Sequence, residues 1–386
     1  MRRAPRILMF SEQFLPRIGG AERQALKLSV ALIERGCTVE VLTPRHEGGW
    51  PAREMISGVQ IHRFRYVDLA RFACGIRGLG LPNALFGYWQ LYHALVEIID
   101  GFDIVHAHIA SPMAVHAMDI AQARGKPAIC KIALSGSNWD LAVLQSTSIL
   151  GPRLARSALK KMNMWVAMST EIRQQLVGCH VDQARIRLIP NGVVIPEGMS
   201  KDSSACARHF LYLGRLGGKL SRDFETLLSA FNEVAATHPE CQLAFVGGGS
   251  REAELRQMLE CLPHARPRTQ FVGFADPVPW MEWADVVVQP SLAEGMSNTV
   301  LEAMAAGICC IANDIPANRE VLGDGQAGML VTAGRVDELA LAMRRVATIP
   351  GECAGLGMRG RQRAVETYSM DRVADQYLRL YGDLLS

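Results

Sequence analysis

The sequence contains no C-x-x-C pair and no cluster of histidines and cysteines at metal-ligand spacing, although it holds ten cysteines. Scattered thiols of this kind suit a reducing compartment, and Cys309-Cys310, set in an apolar run, reads as two small hydrophobes. Long hydrophobic runs are missing too, since none approaches the ~18 apolar residues that a spanning helix needs. The basic start, MRRAPRILMFSEQ, keeps its apolar run only from Ile7 to Phe10 before Glu12 intervenes. That is a strand, too short for the core of a signal peptide. A cytoplasmic protein is expected, at most touching the inner face of the cytoplasmic membrane. Charge of one sign is also scarce. The 41 Lys and Arg against 38 Asp and Glu leave a net +3, too little to argue for nucleic acid as a partner.

What is present describes a globular chain. At 386 residues, 49% of them hydrophobic and 20% charged, it is long enough for two cores. Strands are predicted over 6–10, 38–42, 59–64, 103–108, 128–134 and 165–168. Helices are predicted over 21–35, 84–99, 113–124 and 154–161, with another ending near 177. At 189–205, IPNGVVIPEGMSKDSSA, prolines, glycines and polar residues break the pattern and mark a linker between a first domain, 1–188, and a second, 206–365. The second series has strands at 210–214, 242–246, 270–273 and 286–288, and helices at 223–236, 251–261, 299–306, 336–347, 360–367 and 371–384. Residues 366–386 are expected to pack back on the first domain as a terminal helix. Repeated βα units mean a parallel sheet covered on both faces. The expected class is α/β, two doubly wound domains facing each other across a cleft, with ligands at the carboxyl ends of the strands.

The stretch 289–312, QPSLAEGMSNTVLEAMAAGICCIA, concentrates the chemistry. A β-branched run, Val286-Val287-Val288, precedes it. Seven residues separate Glu294 from Glu302, and the turn Gly295-Met296-Ser297-Asn298 follows the first carboxylate. Ser297 or Asn298 can cap a helix that Gly307 stops. The loop then offers backbone N–H groups at a helix N-terminus, a place for a phosphate. Taken alone, the stretch also fits an ordinary βαβ unit with two solvated glutamates. Other loops could meet the same anion. Gly19-Gly20 opens the first helix after the first strand without completing a G-x-G-x-x-G. Gly214-Arg215-Leu216 ends the first strand of the second series, with Lys219 and Arg222 close behind and no P-loop spacing.

These residues, taken together, resemble the retaining glycosyltransferases of family four, which have the GT-B fold. The resemblance rests on Pro16 with Gly19-Gly20-Ala21-Glu22, Ile189-Pro190-Asn191-Gly192, Leu213-Gly214-Arg215-Leu216, Phe245-Val246-Gly247-Gly248-Gly249, Phe271-Val272-Gly273 and the E-x7-E pair Glu294 and Glu302. They occur in the family's order over nearly the whole chain. The resemblance implies transfer of a sugar from a UDP- or GDP-type nucleotide sugar to an acceptor hydroxyl with retention of configuration. Arg215 with Lys219 would neutralise the diphosphate, and Gly295, Met296, Ser297 and Asn298 would hold phosphate and sugar. Glu294 would meet sugar hydroxyls and Glu302 the ribose, while Gly273 and Phe274 lie where the base is read. Gly20 would let the diphosphate approach the first domain. Same-face attack needs no carboxylate nucleophile, so catalysis would be charge stabilisation and positioning. No Asp-x-Asp occurs, consistent with a transferase that needs no metal and no other cofactor.

Two departures stand out. Where the family often carries His-Gly, this chain has Leu134-Ser135-Gly136-Ser137-Asn138-Trp139-Asp140. Ser135 or Asn138 would take over the hydrogen bond, or His108 would reach in from the neighbouring strand end. The basic loop after Arg215 is longer by about two residues, within an alignment uncertainty of ~2–4 residues, so either Lys219 or Arg222 stands at the family lysine.

The resemblance implies that the acceptor is read mainly by the first domain. The stretch 71–89, with Arg71 and Arg77 among Phe72, Leu79, Leu81, Phe86 and Trp89, and the cation-rich 153–161 suit an anionic bilayer surface. They equally suit a loop packed on its own domain and a solvated helix face. A membrane contact would make the acceptor a lipid-linked saccharide, as in bacterial surface polysaccharide or lipopolysaccharide assembly. The same fold also hosts nucleotide-sugar 2-epimerases and phosphorylases, and a non-catalytic sugar-nucleotide-binding partner protein would share these motifs.

Overall fold

Short runs of three to eight residues, most of them followed by an amphipathic stretch, fold here as strands backed by helices. The computed structural model describes residues 3–17, 19–68, 80–136, 139–146, 150–197, 205–217 and 222–386. The first half contains β1 (Arg6–Phe10), α1 (Gly20–Glu34), β2 (Thr38–Arg45), β3 (Arg53–Ile56), β4 (Val59–Arg65), α2 (Gly80–Ile98) and β5 (Ile104–His108). It continues with α3 (Pro112–Ala123), β6 (Ala128–Ile132), α4 (Asp140–Ser146), α5 (Gly151–Lys161), β7 (Met164–Ala167), α6 (Thr170–Gly178) and β8 (Ile186–Leu188). The second half contains β9 (His209–Leu213), α7 (Phe224–Thr237), β10 (Gln242–Val246), α8 (Glu252–Glu260), β11 (Thr269–Gly273), α9 (Pro277–Trp283) and β12 (Val286–Gln289). Then come α10 (Asn298–Ala305), β13 (Cys309–Asn313), α11 (Pro316–Leu322), β14 (Met329–Val331), α12 (Val336–Thr348), α13 (Glu352–Arg363) and α14 (Met370–Leu384).

The chain divides into two units, Met1–Gly192 with Met370–Ser386, and Val193–Ser369. In the first, eight strands run in the order β3-β4-β2-β1-β5-β6-β7-β8, all parallel except β3 against β4. Ser57 and Gly58, both at positive φ, close that hairpin, as a two-residue turn between twisted strands requires. Strand β3 was not expected from sequence, because it is short, starts with two adjacent charged residues, Arg53 and Glu54, and lies half-exposed on the sheet's edge. Helix α14 packs on α1 and places Val373, Ala374, Tyr377, Leu380 and Tyr381 in the core of this unit. The spacing is that of one helix face. The Tyr381 hydroxyl lies 2.8 Å from His106 Nδ1, and Arg35 holds Asp371 and Asp375 at 2.8 and 2.7 Å.

The second unit has six parallel strands in the order β11-β10-β9-β12-β13-β14, the doubly wound arrangement with its switch point between β9 and β12. Both units are Rossmann-like. Helix α13 starts at Glu352, eight residues before the helix read at 360–367. Gly355, Gly357 and Gly360 disguise it, since glycine is a poor helix former. The packing explains two of them: a Cβ at Gly357 would sit 2.0 Å from the Gly307 carbonyl, and one at Gly360 would sit 3.2 Å from the Ala327 carbonyl.

Candidate functional site

In the second unit the loops leaving β9 and β12 are neighbours because their strands are paired at the switch point. Gly214 leaves β9 with φ +154, and Arg215 follows as an exposed residue that forms no ion pair with a described residue. The Tyr212 hydroxyl, buried below, donates to the Arg215 carbonyl at 3.0 Å and receives a hydrogen bond from Arg222. Burial pushes that phenol up from its ordinary value. Arg222 pairs with Ser291 across an antiparallel bridge, and its guanidinium donates to Glu294 Oε1 at 2.6 Å. The same oxygen accepts from Ser291 Oγ at 3.0 Å and Gln289 Nε2 at 3.5 Å. The expected carboxylate, Glu294, and one of the two candidate cations, Arg222, are therefore in direct contact. Gln289 and Ser291 were missed in the sequence reading. Their signal was position, since they lie immediately before Glu294 on the same strand end.

Ser297 caps α10, its hydroxyl accepting from Val300 N at 3.4 Å, which decides between the two cap candidates. Thr299 Oγ1 donates to the Leu213 carbonyl at 3.2 Å and so ties the start of α10 to the end of β9. Gly295, Met296 and Ser297 are buried, whereas Asn298 and Glu302 are half-buried on α10. The Gly247-Gly248-Gly249 turn supports the β9 loop by close backbone approach. A Cβ at Gly247 would lie 2.0 Å from the Gly214 carbonyl, and one at Gly249 would lie 2.2 Å from that of Leu216. Gly273, at φ +80, receives Gly247 N–H on its carbonyl at 2.7 Å. Beside it Phe274 is 84% exposed, its ring over Gly248. Lys219 lies outside the described residues.

The remaining expected residues lie in the first unit. Gly20 is the exposed first residue of α1. Ser135 is buried, next to Gly136 at φ +76, whose carbonyl accepts from Gln175 Nε2 at 2.9 Å. Asp140 braces this loop by accepting from Ala133 N at 2.6 Å, and burial pushes its carboxyl up to about 6. Asn138 lies outside the described residues. His108 is buried, its Nε2 3.3 Å from Met9 Sδ and its ring 4.6 Å from that of His106. Burial holds its imidazole well below the ordinary value, and its ring faces the unit's interior.

Two family models match the chain in succession, Glycosyltransferase Family 4 over residues 18–195 and Glycosyl transferases group 1 over residues 207–348. A phosphatidyl-myo-inositol mannosyltransferase of Mycolicibacterium smegmatis is 26% identical over 377 residues, 94% of this chain and 90% of that protein. Sucrose-phosphate synthase from Thermosynechococcus elongatus superposes with a TM-score of 0.75 at 20% identity, covering 98% of this chain and 99% of that one. Anabaena HepE in complex with UDP-glucose superposes at 0.74 with 18% identity, covering 98% and 100%. The fold is thus GT-B. With the E-x7-E pair at a switch point and both family models in register along the chain, this protein belongs to the group 1, family-four glycosyltransferases.

Proposed function

We propose that this glycosyltransferase takes a sugar from a nucleotide-diphosphate sugar and passes it to an acceptor hydroxyl with retention of configuration. The observation that carries the reading is the convergence, at the β9–β12 switch point, of exposed Arg215, the Arg222–Glu294 pair and the start of α10. A switch point is where ligands enter open parallel sheets, and a helix start beside a cation suits a diphosphate. In this reading Arg215 and the α10 N-terminus stabilise the leaving diphosphate, Glu294 orients the sugar and Glu302 takes the ribose. Exposed Phe274 offers a face for the base. The positive charge that faces the leaving diphosphate then comes from the chain itself, without a metal. UDP-glucose in the HepE structure supports a nucleotide sugar as donor.

The acceptor in this reading is a lipid-linked saccharide in cell-surface polysaccharide or lipopolysaccharide assembly, met at a membrane face. Among the described residues no helix is long and apolar enough to cross a membrane. Leu81, Leu85, Trp89 and Tyr92 are exposed along α2, and Arg153, Arg156 and Lys160 are exposed on α5. Apolar and basic surfaces on one unit suit peripheral contact with an anionic bilayer. Residues 71–79 of the expected patch lie outside the described ones. The lipid acceptor of the M. smegmatis relative supports the same direction.

The test is thermal stabilisation by UDP, GDP, ADP and their sugars, repeated with Glu302→Ala. Binding to the native state must raise stability. A shift with one base, reduced by the substitution, supports the donor site. No shift with any nucleotide sinks it. Anomeric configuration of the product by NMR then separates retention from inversion, and an epimerised donor without a new glycoside would point to the isomerase chemistry.

A further inference from the structure

A cavity of about 60 Å³ lies in the second unit, at the end of its sheet opposite the β9 and β12 loops. Its lining comes from the segment ahead of β9, with Cys206, from Asp285 ahead of β12, from Gly307 ahead of β13 and from Cys353 in the first turn of α13. The rest of the lining is alanine. In a parallel sheet these positions are the amino ends of the strands, away from the loops that take ligands.

Asp285 connects the two segments that carry the cysteines. Its carbonyl accepts from the Cys353 thiol at 3.1 Å. Its carboxylate accepts from Arg208 N and His209 N at 2.9 Å each, just beyond Cys206. Cys206 is half-buried and Cys353 is buried. A thiol that serves only as a small hydrophobe is enclosed by packed neighbours, whereas these two border one open space. Cys241, Cys309 and Cys310 of the same unit do behave as packing groups. Burial pushes Cys241 up to about 11 and Cys310 up to about 12. The Cys353 thiol together with burial holds Cys309 well above its ordinary value. A thiol kept protonated is a poor nucleophile.

We infer that Cys206 and Cys353 form a redox modification site, which a low-molecular-weight disulfide such as oxidised glutathione converts into an intramolecular disulfide. The half-buried Cys206 thiolate attacks the incoming disulfide, forms a mixed disulfide and releases one thiol. The Cys353 thiolate then attacks Cys206 Sγ across the cavity and releases the second thiol. The two protein thiols lose two electrons and two protons, and the oxidant gains both as two thiols. In a reducing compartment the pair rests as a dithiol, and the bond forms when the disulfide pool rises. Once formed, the link fixes the segment ahead of β9 to α13. The inference makes no use of the donor reading.

Incubation of the full-length native protein with oxidised glutathione, followed by alkylation of the remaining thiols and peptide mass mapping, tests it. Wild type should yield a linked Cys206–Cys353 peptide that dithiothreitol removes. Cys206→Ser should abolish the link, and Cys353→Ala should leave glutathione standing on Cys206. Cys206→Ser, at the half-buried position, carries the test if Cys353→Ala melts early. Absence of the linked peptide from oxidised wild type overturns the inference. So does a mixed disulfide that persists on Cys206 with Cys353 still free, or a link from Cys353 to Cys309 instead.

Discussion

The guanidinium of Arg222 lies 2.6 Å from Glu294 Oε1, with side chains 20% and 17% exposed. The residue expected to meet sugar hydroxyls is thus held by one expected near phosphate, and a bound donor must share this pair or displace it. Half-buried and carrying two further hydrogen bonds on the same oxygen, the pair lies between the exposed and buried limits for ion pairs. Arg222→Met or Glu294→Gln should each cost ~1–3 kcal/mol, and the double variant should lose less than the sum. Chemical denaturation of the four proteins measures this, and strictly additive losses would show that the two groups do not interact.

Arg215 is exposed and has no described ion-pair partner, so its charge is available to a ligand. Arg215→Ala should weaken binding of the nucleoside diphosphate about tenfold to a hundredfold, the loss of one charge-assisted hydrogen bond, and leave the nucleoside nearly unaffected. Calorimetry with UDP and uridine, or the pair of whichever base binds, checks it. Equal losses would remove the phosphate role.

Lys131, on β6, is buried and donates to Asn191 Oδ1 at 2.7 Å. Burial pushes its ammonium from 10.5 down to about 7. Between those values the unfolded chain binds a proton that the folded one does not, so protonation favours unfolding there. The destabilisation is complete below about pH 7 and is relieved as pH rises toward 10.5. Wild type should therefore gain stability relative to Lys131→Met across that interval. Urea midpoints for both proteins from neutral to alkaline pH measure the difference, and parallel profiles would show that the ammonium is not perturbed.

Gly247 has φ +127, and a Cβ there would stand 2.0 Å from the Gly214 carbonyl. Gly247→Ala should cost about 2 kcal/mol or more from strain and displaced backbone and should weaken nucleotide binding by moving the β9 loop. Gly48 has open space around it, and Gly48→Ala should change stability by only a few tenths of a kcal/mol. Melting curves of the two variants decide it, and equal stability would show that the close approach does not constrain the loop.

Helix α10 was legible in the sequence, because good helix formers lie between a serine cap and a glycine stop. The β-branched run at Val286–Val288 and the Glu294–Glu302 spacing were legible for the same reason, since each depends on near neighbours in the chain. Helix α13 was only partly legible. Its glycines oppose helix locally, and Gly357 is required by close contact with Gly307, fifty residues away. Strand β3 lacked an apolar face to announce it and forms because β4 supplies its hydrogen bonds.

Hydrophobic periodicity by itself determined the α/β class, the repeated strand and helix units and the loops that carry ligand chemistry, because period and capping act over one or two turns of chain. Which loops meet was decided by strand order. The order of the second sheet brings Arg222 to Glu294 across 72 residues. That of the first sends His108 inward, against Met9. No local pattern encodes that order, because it follows from how whole amphipathic faces pack against one another.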